Sequence, residues 1–156
     1  MVKGKTRARK NPDNSAEYFG YPWPKWFRMR DAAIALLKDC ARSRETTCYG
    51  ALWQGVEEAL GEDIGKRGQY KDRAFAGAIG WHSNDFDKPM LTSLIVREKE
   101  GHPGRGFFML AVDQGRLSEN DGPKADEDWS MTPLQRHFWE TPRNAVFDQY
   151  ASGIEK

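Results

Sequence analysis

The side chains best able to do chemistry in this chain are cations, set beside glycine-rich turns. Lys66, Arg67, Lys71 and Arg73 fall close together, with Gln69 and Tyr70 between them. Clustered ammonium and guanidinium groups are what phosphate binding needs. The same residues also decorate ordinary solvated helix starts, although a cation there opposes the helix macrodipole. A second candidate is Gly101-His102-Pro103-Gly104-Arg105-Gly106. Backbone N–H groups of such a loop cradle phosphate when a helix follows, with Arg105 adding a fork of donors and His102 a titratable ring. It lacks the Gly-Lys-Ser/Thr ending of a nucleotide-binding P-loop and is not the dinucleotide fingerprint. The plainer reading is a turn needing positive backbone angles.

Other reaction chemistries find little support. His82, His102 and His137 stand apart from one another and from Cys40 and Cys48, so no zinc spacing is present. Asp85 or Asp87 followed by Glu98-Lys99 misses the acid-any-lysine spacing of a nuclease metal site. Two cysteines without a CxxC pattern predict free thiols, with Cys40 on the core side of its helix. No metal, cofactor or nucleophile–base pair is expected, and a binding role is favoured over an enzyme.

The elements that must position the cations follow from periodicity. Trp26, Met29, Ala33, Leu36, Leu37 and Cys40 form a helical stripe across residues 25–43, with Pro24 suited to the first turn. Thr46 and Thr47 offer a cap for a second helix over residues 49–60, which Gly61 ends. Gly65-Lys66-Arg67-Gly68 reads as a basic loop. A third helix over 69–81 turns Phe75, Ala78 and Ile79 inward. Residues 83–87 have turn composition, and β-branched Thr92, Ile95 and Val96 predict a strand over 90–97. Residues 98–106 then read as a hairpin or wing. The stretch 107–112 fits strand or helix equally. Residues 117–130 read as an acidic, solvated loop. Residues 133–150 predict a helix with Leu134, Phe138, Val146, Phe147 and Tyr150 inward and Pro142 bending or splitting it.

With 156 residues, 38% hydrophobic and 30% charged, the chain suits a single globular domain. No apolar run is long enough to span a bilayer and no secretory signal is visible, which predicts a cytoplasmic protein. The net charge of +1 says little, but Lys3, Lys5, Arg7, Arg9 and Lys10 make residues 1–18 a mobile basic arm, either solubilising or touching phosphates. The cluster Tyr18-Phe19-Gly20-Tyr21-Pro22-Trp23-Pro24 is expected to close the core, with base stacking as the lesser alternative. Residues 19–156 form the expected globular unit.

Helix, turn, helix, small-residue helix, strand and glycine wing is the order of a winged helix-turn-helix, here over residues 31–108 within an α+β domain, with residues 113–156 as a C-terminal helical extension. Thr47-Cys48-Tyr49-Gly50, Ala76-Gly77-Ala78-Ile79-Gly80, Asn84, Ile95-Val96 and the turn from Gly101 to Phe107 together resemble the C-terminal domain of the O6-alkylguanine DNA alkyltransferases and their non-catalytic alkyltransferase-like relatives. The resemblance implies DNA binding, with Tyr49 helping to rotate a nucleotide from the stack, Asn84 bracing a hinge and the glycine wing lying along the backbone. Leu91-Thr92-Ser93-Leu94 stands where that family carries its reactive Pro-Cys-His-Arg, so alkyl transfer has no acceptor here. Gly77 replaces the intercalating arginine, leaving Arg73 one turn earlier. The expected function is therefore non-catalytic DNA binding by Tyr49, Lys66, Arg67, Lys71, Arg73, Asn84 and Arg105. The alternatives are a nucleotide or phosphoryl-ligand module built on Gly101, His102, Gly104, Arg105 and Gly106, and an adaptor that engages a protein partner.

Overall fold

Two prolines bracket the start of the helix on which the fold is built. Pro22 holds an extended N-cap and Pro24 sits in the first turn of α1 (Trp23–Arg42), where its missing N–H has no partner to lose. The computed structural model describes residues 17–81, 89–123 and 129–151. Within them α1 places Trp26, Met29, Ala33 and Leu37 wholly out of solvent. Around that stripe pack α2 (Tyr49–Leu60), α3 (Gln69–Trp81) and α5 (Pro133–Ala151). The expected second and third helices thus appear with the bounds that periodicity gives.

Ahead of α1, β1 (Glu17–Tyr18) and β2 (Tyr21–Pro22) form an antiparallel pair, Tyr18 opposite Tyr21, turning through Phe19 and Gly20 at positive φ. The aromatic cluster closes the core. Tyr18 stacks on Trp23 at 4.4 Å between ring centres, and the Trp26 indole N–H donates to the Tyr18 carbonyl. The fold is therefore a helix-dominated α+β arrangement, and this pair is the one sheet among the described residues.

Several expected elements are replaced. No strand runs over 90–97. Leu91–Leu94 is a 3-10 turn, and the whole run from Met90 to Val96 is buried. It packs between α1, α3 and α5, so its β-branched residues fill a core instead of pairing in a ladder. Only Ile95 makes a bridge, parallel to Thr47, with the Thr47 N–H donating to the Leu94 carbonyl at 2.8 Å and the Val96 N–H to the Thr47 carbonyl at 2.7 Å. Thr47 is thereby drawn away from capping, and the N-cap of α2 is Cys48, which makes no side-chain cap bond. A wing of paired strands is not formed over the described residues 98–104. The Arg97 N–H donates to the His102 carbonyl and the Gly101 N–H back to the Arg97 carbonyl, closing one tight loop. α4 (Arg105–Asp113) follows at once, settling the ambiguous 107–112 stretch as helix.

α5 runs through Pro142. It carries Trp139 into a second core with Phe107, Phe108 and Leu110, and Val146, Phe147 and Tyr150 into the α1 core. Leu134, expected inward, is 51% exposed, and Gln135 is buried in its place. Gln135 closes a reciprocal capping pair with Thr132, each side chain accepting the other's backbone N–H, and its amide donates to the Asp121 carbonyl. A cap at the first turn sets which residue faces in. Both cysteines are free and half-buried, so Cys40 lies at the core edge and not within it. Among the described residues no helix is long and apolar enough to cross a membrane.

Candidate nucleic-acid interface

The basic stretch leaves α2 on a tightly anchored loop. α2 ends at Gly61 in the left-handed region, and Ile64 then plugs the core with no exposure. Its N–H donates to Glu57 Oε2 at 3.1 Å, and its carbonyl accepts the Tyr21 hydroxyl. Gly65 follows at φ +99°, its carbonyl accepting the Trp53 indole N–H at 3.0 Å and its own N–H donating to Asp63 Oδ1 at 2.8 Å. A Cβ at Gly65 would sit 2.2 Å from the Tyr21 hydroxyl, so both the backbone angle and the space demand glycine. Lys66, Arg67 and Gly68 leave this anchored point exposed and lead directly into α3.

Arg67 does not project alone. Its Nη1 lies 2.6 Å from Asp72 Oδ2, and its guanidinium passes over Gly50 at the start of α2. Asp72 sits in the first turn of α3, where a carboxylate complements the helix dipole. Burial raises the Asp72 carboxyl above its ordinary pKa, with Arg67 pulling the other way. The second oxygen of Asp72 is buried without a hydrogen-bond partner. Tyr49, the first residue of α2, is half-buried; burial first and the Asp72 charge second push its phenol upward. Gly50, Arg67 and Asp72 therefore form one contact set joining the starts of α2 and α3, with Tyr49 within electrostatic reach of Asp72.

Lys71 is set against Tyr21. Its Nζ is 4.4 Å from the Tyr21 ring centre, and Lys25 Nζ is 3.7 Å from the same centre. Sequence reasoning picked out Lys71 and missed Lys25. The signal for Lys25 was its place just after an aromatic–proline cluster, in a first turn that holds no acid. Arg73 is a residue of α3 whose side chain lies outside the described part of the structure, and Asn84 lies outside it altogether.

Arg105 and the glycine turn stand in a separate place. Gly101 has φ +74°, as a tight turn requires. Gly104 is the N-cap of α4, with no side-chain cap, and Arg105 is its first residue. His102 Nδ1 lies 2.9 Å from the Pro103 carbonyl, and its ring meets Trp129 edge-on. Gly106 faces open space. The structure therefore does not join the two sequence candidates into one site: one lies at the α2–α3 junction and the other at the start of α4. Among the described residues no group of three His, Cys, Asp or Glu is arranged to hold a metal ion.

Set against known proteins, the chain matches no protein-family model, no curated protein and no solved structure.

Proposed function

We propose that this chain is a non-catalytic nucleic-acid-binding protein that grips the phosphate backbone of DNA with the α2–α3 junction. One observation carries the reading. Lys66 and Arg67 emerge from a loop fixed by Tyr21, Trp53, Glu57 and Asp63, and they lead into the first turn of α3, where Lys71 stands. Cations on a rigid mount lose little conformational freedom on binding, so their attraction to phosphate is not spent on ordering. The packing of α2 and α3 on α1 supports a helix-turn-helix use of α3. In this reading Lys66 and Lys71 meet phosphates directly. Asp72 steers Arg67.

The test is salt dependence in variants. Lys66→Ala and Lys71→Ala each weaken binding to labelled duplex DNA and reduce the slope of log K against log salt by about one. Unaltered slopes in both variants would count against this surface.

The start of α4 directly after Gly104 favours a second reading, a nucleotide or phosphoryl ligand over Gly104, Arg105 and Gly106. A thermal midpoint that rises with nucleotides but not with DNA, and stops rising in Arg105→Ala, would select it.

A further inference from the structure

We infer that Lys25 and Lys71, both set against the ring of Tyr21, form a seat for a phosphate group. Lys25 is the third residue of α1 and Lys71 the third of α3. Each is therefore a cation in a helix's first turn, where the partial charge of the backbone is already positive. Their nitrogens lie 3.7 and 4.4 Å from one ring centre, so they stand within about 8 Å of each other and repel. The turn residue Gly20 closes in as well, since a Cβ there would lie 3.5 Å from Lys71 Nζ. Among the described residues neither lysine forms an ion pair. The acids that act on Tyr21 do so from its hydroxyl end, where Glu57 accepts the Ile64 N–H and Asp63 the Gly65 N–H.

Two half-buried lysines at two helix starts thus share one aromatic ring, and among the described residues neither has an ion-pair partner. A phosphate that accepts from both lysines at charge-assisted distances of about 2.7–2.9 Å cancels their repulsion. It also gains from the two helix N-termini. The inference deepens the nucleic-acid reading by giving one phosphate an address and by adding α1 to the surface. Its first experimental arm does not depend on that reading.

In that arm, the thermal midpoint of the full chain is followed by tryptophan fluorescence in inorganic phosphate and in sodium chloride of equal ionic strength. The wild type gains a saturable rise specific to phosphate. Lys25→Met and Lys71→Met keep the apolar stem, remove the charge, and lose the rise. The second arm measures duplex DNA binding against salt, where each Met variant lowers the slope by about one. Both effects together identify a phosphodiester as the natural occupant. A phosphate rise lost in the Met variants, with no DNA binding by the wild type, sustains the seat for a free phosphate or phosphomonoester and sinks only the nucleic-acid reading. No phosphate-specific rise in the wild type, or an equal rise in both Met variants, overturns the inference.

Discussion

Gly65→Ala isolates the joint on which the basic surface depends. At φ +99° an L-residue pays about 1–2 kcal/mol for its backbone conformation. The added Cβ would lie 2.2 Å from the Tyr21 hydroxyl, an overlap that forces the phenol to move. That movement breaks the bond to the Ile64 carbonyl and leaves part-buried polar groups unpaired, costing about 1–3 kcal/mol more. The expected loss is about 2–5 kcal/mol, or about 4–20 °C in thermal midpoint for a chain of this size. Gly68→Ala is the matched control. It has no neighbour within 4 Å of a new Cβ and no positive φ, and should change stability by no more than about 1 kcal/mol, in the stabilising direction. Urea unfolding of the two variants, followed by tryptophan fluorescence, gives the comparison. If Gly65→Ala matches Gly68→Ala within about 0.5 kcal/mol, the loop is not anchored as described and the rigid-mount argument fails.

Two more outcomes follow from buried polar groups. Ser93 is fully buried with its hydroxyl unpaired, while its carbonyl accepts the Trp139 indole N–H. Ser93→Ala should be neutral or stabilising by up to about 1 kcal/mol in urea unfolding, and a loss greater than that would reveal a partner for the hydroxyl. Asp72 has a carboxyl raised by burial, so the folded state holds its proton to higher pH than the unfolded chain does. Stability therefore falls as pH climbs from the unfolded carboxylate value near 4 to the raised folded value. Asp72→Asn should flatten that part of the midpoint–pH profile, and an unchanged profile would contradict the assignment.

The helices were legible because their signals were local. Apolar spacing set α2 and α3, and Pro24 marked the entry to α1. The segment after Pro89 was misread for a physical reason. Thr92, Ile95 and Val96 suit a strand in isolation, but a run buried on every side is shaped by the helices around it, and those contacts are absent from local sequence. Leu134 failed similarly, because the Thr132–Gln135 cap fixes the rotation of α5. Within the site, the cations were visible as a cluster. The arrival of Lys71 at Tyr21, beside Lys25, joins chain segments far apart in sequence, and the Arg67–Asp72 pair depends on how the loop enters α3; periodicity carries no information about either meeting.

The most direct test of the central claim is a fluorescence-polarisation titration of labelled duplex DNA with the wild-type chain at about 50 and 200 mM salt. Three lysines meeting phosphates, Lys25, Lys66 and Lys71, predict saturable binding that weakens about 40-fold between the two conditions. Absence of binding at the lower salt, or binding that ignores salt, would contradict a phosphate-gripping surface at the α2–α3 junction.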